Sequence, residues 1–185
     1  ADVPAFIDCF LGEIDDFIVV DAAHHHDVYF YGIQSGRFSR FYPGGASPTL
    51  RIAAFEGLTL ASPGEANTLL LEALKGKDPT LRNTASRLIA QSPGRETPKP
   101  LLDALPALPL EGQIALLSAI KIRRDVSARP AVLSLMESPL PEVRLAALDT
   151  MGAVGTAADV TVLARAAVGT DKARQQAART SLASL

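Results

Sequence analysis

The chain has 185 residues, 48% hydrophobic and 21% charged, with a formal net charge of −2. That composition suits one domain or a short run of repeats around a buried core, and it excludes a disordered tail or a collagen-like fibre. The near-neutral balance makes no global demand for nucleic acid or an anionic membrane, a single cysteine, Cys9, can form neither an internal disulfide nor a zinc-thiolate set, and no apolar run approaches the roughly 18 residues that span a bilayer.

In chain order, residues 1–14 read as a helix: "ADV" at 1–3 matches "ADV" at 158–160, and Phe6 then takes the place of Leu163. Cys9 lies there beside Phe6 and Phe10 and reads as core. No basic region followed by a long apolar stretch marks a signal peptide. The opening at Ala1 and the close at Leu185 without a polar cap lead us to expect a piece of a longer chain, or an end covered by a partner.

Residues 15–46 follow a different design. All ten aromatics lie within the first 55 residues, and the three histidines are consecutive, His24, His25 and His26. Phe17–Val20 and Val28–Tyr31 are β-branched or aromatic runs of strand length, and "SGRFSRFYPGG" carries turn signals. The pattern predicts a small β-hairpin-like insertion. Asp21, His24, His26 and Asp27 are candidate metal ligands, since in an extended segment His24 and His26 share a side and one carboxylate completes three ligands with an open position. The plainer reading of these residues is a polar loop. Tyr29, Tyr31, Phe38, Phe41 and Tyr42, with Arg37 and Arg40, are residue types enriched at interface hot spots and able to stack on sugar rings. They serve equally well as a small core holding the insertion in place.

From residue 47 onward the sequence repeats with a period of 31. Ile89, Ile120, Met151 and Leu182 form one apolar column; Leu70, Leu101, Val132 and Leu163 a second; Leu71, Leu102, Leu133 and Ala164 a third; Ala85, Leu116, Ala147 and Ala178 a fourth. All four are expected to be core. Each unit reads as two helices, because apolar residues recur at steps of three and four. Pro79 and Pro141 suit the first helical position, Asp78 and Ser47 suit N-caps, and Gly94 and Gly155 suit left-handed helix stops. "SPTLR" at 47–51 matches "DPTLR" at 78–82, so 47–61 is a second helix whose first helix is 1–14. The expected pairs are 1–14 with 47–61, then 64–93, 95–124, 126–155 and 157–185.

"PTLR" and "PEVRLAALDTMGAVG", with their Pro, Val-Arg, Ala-Ala and Gly placements, resemble the HEAT-repeat family, in particular its short-unit branch with bilin-lyase-like repeats. The resemblance covers 1–14 and 47–185. It implies an all-α fold, an α-solenoid of about five short helix pairs, here interrupted in the first unit. Some short-unit members resemble deoxyhypusine hydroxylase, whose irons sit on paired His-Glu motifs; no such pair occurs in this sequence. The alanine-rich repeat style resembles large bacterial multidomain proteins.

Charges divide by layer. Second helices carry ten bases against four acids, and first helices six bases against eleven acids. A basic second-helix ridge could receive an acidic protein segment or a polyanion. The competing reading is intra-repeat bonding, because Arg51, Arg82 and Arg144 occupy one repeat position. Without aromatics among the bases, single-stranded nucleic acid is disfavoured. No nucleophile elbow, Walker loop or dinucleotide fingerprint occurs, so we expect no enzyme and no cofactor. The expected role is a protein-interaction or scaffold module, its partner another protein or a neighbouring domain of the same chain, bound through the ridge and the insertion. Two alternatives are an accessory domain of an exported bacterial enzyme, binding carbohydrate or metal through the insertion, and a polyanion-binding face. One cysteine is compatible with either redox compartment.

Overall fold

Proline and aspartate set where the helices begin. The first turn of a helix has four N–H groups without intrahelical partners; proline removes one of them and a carboxylate satisfies others. The computed structural model describes residues 17–21, 28–32, 48–94 and 96–185. Its elements are β1 (Phe17–Asp21), β2 (Val28–Gly32), α1 (Pro48–Ala61), α2 (Ala66–Lys75), α3 (Pro79–Gln91), α4 (Lys99–Ala104), α5 (Leu110–Arg123), α6 (Arg129–Leu135), α7 (Pro141–Val154), α8 (Val160–Ala167) and α9 (Lys172–Ser184). Short 3-10 turns follow α4 at Leu105–Ala107 and precede α6 and α8 at Val126–Ala128 and Ala157–Asp159.

The chain forms two compact units, Ala1–Ala66 and Asn67–Leu185. In the first, β1 and β2 pair antiparallel, with Phe17 opposite Gly32 and Asp21 opposite Val28, and β1 packs with α1. Phe55 and Leu58 are buried on α1, and the Thr59 hydroxyl donates to Phe55 O at 2.8 Å, within the same helix.

Among its described residues the second unit consists of helices and their connections, with no strand. The N-caps of α3, α5, α7 and α9 are Asp78, Pro109, Leu140 and Asp171, each 31 residues after the one before. The Asp78 carboxylate accepts from Thr80 N at 2.9 Å, and Asp171 accepts from Ala173 N at 2.9 Å. Pro79 and Pro141 open α3 and α7 from the first turn. These four helices stack in order, α3 on α5, α5 on α7 and α7 on α9, while α6 packs on α7 and α8 on α9.

Burial follows three of the four sequence columns. Leu70, Leu101, Val132 and Leu163 are buried, as are Ala85, Leu116, Ala147 and Ala178, and Ile89, Ile120 and Met151. Leu182, the last member of that column, is half-buried. Full burial of one such Leu or Ile side chain contributes about 2 kcal/mol. The third column differs from expectation: Leu71, Leu102 and Leu133 are half-buried and Ala164 is exposed. Each follows a core residue by one position, and one residue turns a helix by about 100°, onto the flank of the apolar stripe.

Of the two glycine stops expected to be left-handed, one is not. Gly94 is left-handed, with φ 91°, but Gly155 caps α7 in extended geometry at φ −70° and ψ 166°. What Gly155 supplies is small size, since a Cβ there would lie 2.5 Å from the backbone oxygen of Met151. The left-handed stop belongs instead to Arg124, at φ 52° and ψ 42° after α5.

Gly112 marks a close helix approach, where an added Cβ would stand 2.4 Å from the backbone oxygen of Leu74 on α2. Backbone cannot swing aside as a side chain can. Gly112→Ala is therefore expected to destabilise the second unit by about 2–3 kcal/mol, measured as a lower urea midpoint of the helical signal.

Candidate functional site

The polar side chains of the second unit assemble into a seam that ties helix to connection and repeat to repeat within residues 67–185. Its simplest member is one repeat position. Arg82 Nη2 donates to Gly76 O at 3.1 Å, and Arg144 Nη1 donates to Ser138 O at 2.7 Å, six residues back in both cases. Gln113 Nε2 donates to Leu108 O at 2.8 Å, and Gln175 Nε2 to Gly169 O. These four residues recur every 31 positions. Each places a long donor at the start of a second helix, where it satisfies carbonyls of the connection that leads into it.

Arg123 does more. Its Nη1 donates to Ile89 O at 2.7 Å, to Ser92 O at 2.9 Å and to Ser92 Oγ at 2.8 Å; its Nη2 donates to Gly94 O and Glu96 O, both at 2.9 Å. One guanidinium at the end of α5 thus gathers the carbonyls that terminate α3 and the connection after it. The planar fork and fixed charge of arginine suit that task, because carbonyl oxygens at a helix C-terminus carry partial negative charge.

Two carboxylates lock the first-helix side. Asp125, 3% exposed, accepts from Thr97 N at 2.5 Å, Ser127 N at 2.9 Å and Ser127 Oγ at 2.6 Å. Asp159, 1% exposed, accepts from Arg129 Nε at 2.7 Å, Arg129 Nη2 at 2.5 Å and Thr156 N at 2.8 Å. The Thr97–Asp125 and Arg129–Asp159 links join successive units. Between second helices, the Ser86 hydroxyl donates to Ala115 O at 2.7 Å, and the Ser181 hydroxyl lies 2.5 Å from Leu148 O. Thr150, one repeat before Ser181, lies 3.3 Å from Leu117 O and 2.7 Å from Ala146 O in its own helix.

These contacts set the ionisation of the acids. For Asp125, burial is the largest single influence and pushes the carboxyl up, but the hydrogen bonds from Ser127 and Thr97 together outweigh it, and the group titrates below the ordinary carboxylate value. The Arg129 guanidinium, more than burial opposes it, holds Asp159 low, and Arg129 is raised in return. A carboxyl that titrates lower in the fold contributes stability that is complete above its unfolded value, near pH 4, and is lost as pH falls below it. The melting temperature is therefore expected to drop between pH 5 and pH 3, with a shallower drop when Asp125 and Asp159 are both Asn. Equal slopes in thermal melts of the two proteins would contradict this.

The sequence candidates fall in three places. Arg82 and Arg144 sit on α3 and α7, bonded to the connections described above, and Arg51 lies on α1. Tyr29 and Tyr31 lie in β2, opposite Val20 and Ile18, and Asp21 ends β1. Arg37, Phe38, Arg40, Phe41 and Tyr42, like His24, His26 and Asp27 of the metal reading, are outside the described residues. Among the described residues no group of three or more His, Cys, Asp or Glu is placed to hold a metal ion, and no helix is long and apolar enough to cross a membrane.

The second-helix cations are mostly engaged within the fold. Beyond Arg82, Arg123 and Arg144, Lys121 pairs with Asp149 at 2.7 Å and Arg174 with Glu137 at 2.5 Å. These last two pairs are open to solvent and contribute little stability. Asp125 belongs to neither of the charge layers counted from the sequence, and its role is invisible there. The signal that could have marked it is local: Asp125 stands two residues before Ser127, the spacing of an Asx cap.

Helix pairs that stack at a fixed period define a helical-repeat protein of the α-solenoid class. A family model described as HEAT repeats matches residues 99–183, the segment that holds α4 to α9. No curated protein matches the chain.

Proposed function

We propose that this chain is a non-catalytic interaction or scaffold module, in which the stacked short HEAT-type repeats of residues 67–185 present an outer surface to a protein partner. The observation that carries the reading is the polar seam. The buried acids and the bonded arginines of residues 67–185 are occupied by backbone and by one another, and they fix the geometry of the stack. Repeats held in that way present extended surfaces to partners, which is the general use of such folds.

On this reading the chain holds five units of the short, bilin-lyase-like kind, of a bacterial type. The first unit is split between 1–14 and 47–61, and 15–46 is an added recognition segment. The test is capture from a lysate of the source cell with the full chain and with a variant whose residues 16–45 are a Gly-Ser linker, followed by titration of the purified partner. The expected result is a stoichiometric protein complex that persists at high salt. A complex that dissolves as salt rises would favour a polyanion instead. Absence of any protein complex would overturn the reading.

A further inference from the structure

The turn that leaves α5 departs from its own repeat. Two of its residues face inward: Arg123 holds the end of α3 and Asp125 holds Thr97 and Ser127. The residues that alternate with them face outward. Ile122 is 67% exposed, Val126 is 54% exposed, and Arg124 between them is exposed as well. Among the described residues the Arg124 guanidinium makes no hydrogen bond or ion pair.

The backbone at Arg124 is left-handed, at φ 52° and ψ 42°. That conformation disfavours any residue with a Cβ and is the ordinary place for glycine. Thirty-one residues later the three outward positions hold Ala153, Gly155 and Ala157, and thirty-one earlier Gln91, Pro93 and Arg95. Neither set places a cation between two large apolar side chains. Strain kept at a site that glycine would relieve points to use of the side chain. The turn is also rigid, because its inward residues are anchored by the bonds of Arg123 and Asp125, so little order has to be imposed when a ligand binds.

We propose that the 122–126 turn is a preformed docking tip for a protein segment that sets one carboxylate on Arg124 between apolar side chains covering Ile122 and Val126. This rests on the interaction-module reading. Arginine pairs with carboxylate through two parallel hydrogen bonds, and the flanking apolar groups exclude water from that pair. A nucleic-acid backbone would match one cation and leave both apolar side chains uncovered.

The test uses the full chain as bait for a random peptide library displayed on phage, with the selected peptides then titrated against variants. The expected peptides carry Asp or Glu flanked by aliphatic or aromatic residues. Arg124→Glu should weaken them about tenfold or more, and Arg124→Lys less, since it keeps charge but not the fork. Ile122→Ser with Val126→Ser should weaken them similarly. Arg124→Gly should abolish binding while raising the melting temperature, a split that a merely structural residue would not give. Selected peptides that bind Arg124→Glu as tightly as the unaltered chain would overturn the docking tip and leave the interaction module standing. Failure to select any peptide would overturn the docking tip, while the interaction module stands or falls on capture of a protein complex.

Discussion

Replacing Arg123 with Ala is expected to cost the second unit about 3 kcal/mol. Five contacts disappear together, and the carbonyls of Ile89, Ser92, Gly94 and Glu96 lose their shared donor. Hydrogen bonds from a charged donor contribute more than neutral ones, although their sum is reduced because water reaches the outer two. Arg123→Lys should recover less than half of the loss, since one ammonium cannot span two clusters of acceptors. The measurement is the urea midpoint of the helical signal in the three proteins. Equal midpoints for Arg123 and Ala would mean that the bridge adds nothing to water.

The second large effect is expected at Asp159. Asp159→Ala removes the acceptor of Arg129 and of Thr156 N at a site that is 1% exposed, and should cost about 3 kcal/mol. Arg129→Met in the same background should recover part of that loss, because the arginine without its carboxylate keeps only the cost of desolvation. A double variant less stable than Asp159→Ala would show that Arg129 is held by contacts other than the pair.

The helical repeat was legible in the sequence because its determinants are periodic. Thirty-one-residue columns, first-turn prolines and the Asp78 cap each state a local requirement of a helix, and the structure places helices on them. The third column misled because apolarity alone does not distinguish the centre of a helix stripe from its flank; Leu71 differs from Leu70 only in phase. Gly155 misled for a similar reason, since glycine is used both for left-handed backbone and for want of room. The polar seam was half-legible. The shared position of Arg82 and Arg144 is visible in the repeat, and so is the chance that they bond nearby turns. Gln113 and Gln175 complete that column but differ in charge, so a reading based on charge passes over them. The Arg123 bridge and the Thr97–Asp125 link join residues 27 to 34 apart, and nothing local in the sequence announces a long-range partner. The second-helix bases form a ridge in the sequence, and in the fold Arg82, Lys121, Arg123, Arg144 and Arg174 of that ridge are turned to holding the stack.

That the units are coupled through buried polar ties is tested most directly by hydrogen exchange of the full chain, comparing the unaltered protein with Arg123→Ala amide by amide. Loss of the bridge should accelerate exchange roughly a hundredfold across α3, the 92–98 connection and α5 together, because these segments open as one body once the tie is gone. Faster exchange confined to the few residues around position 123, with α3 as protected as before, would show that neighbouring units are held by apolar packing alone and would contradict the role assigned to the seam.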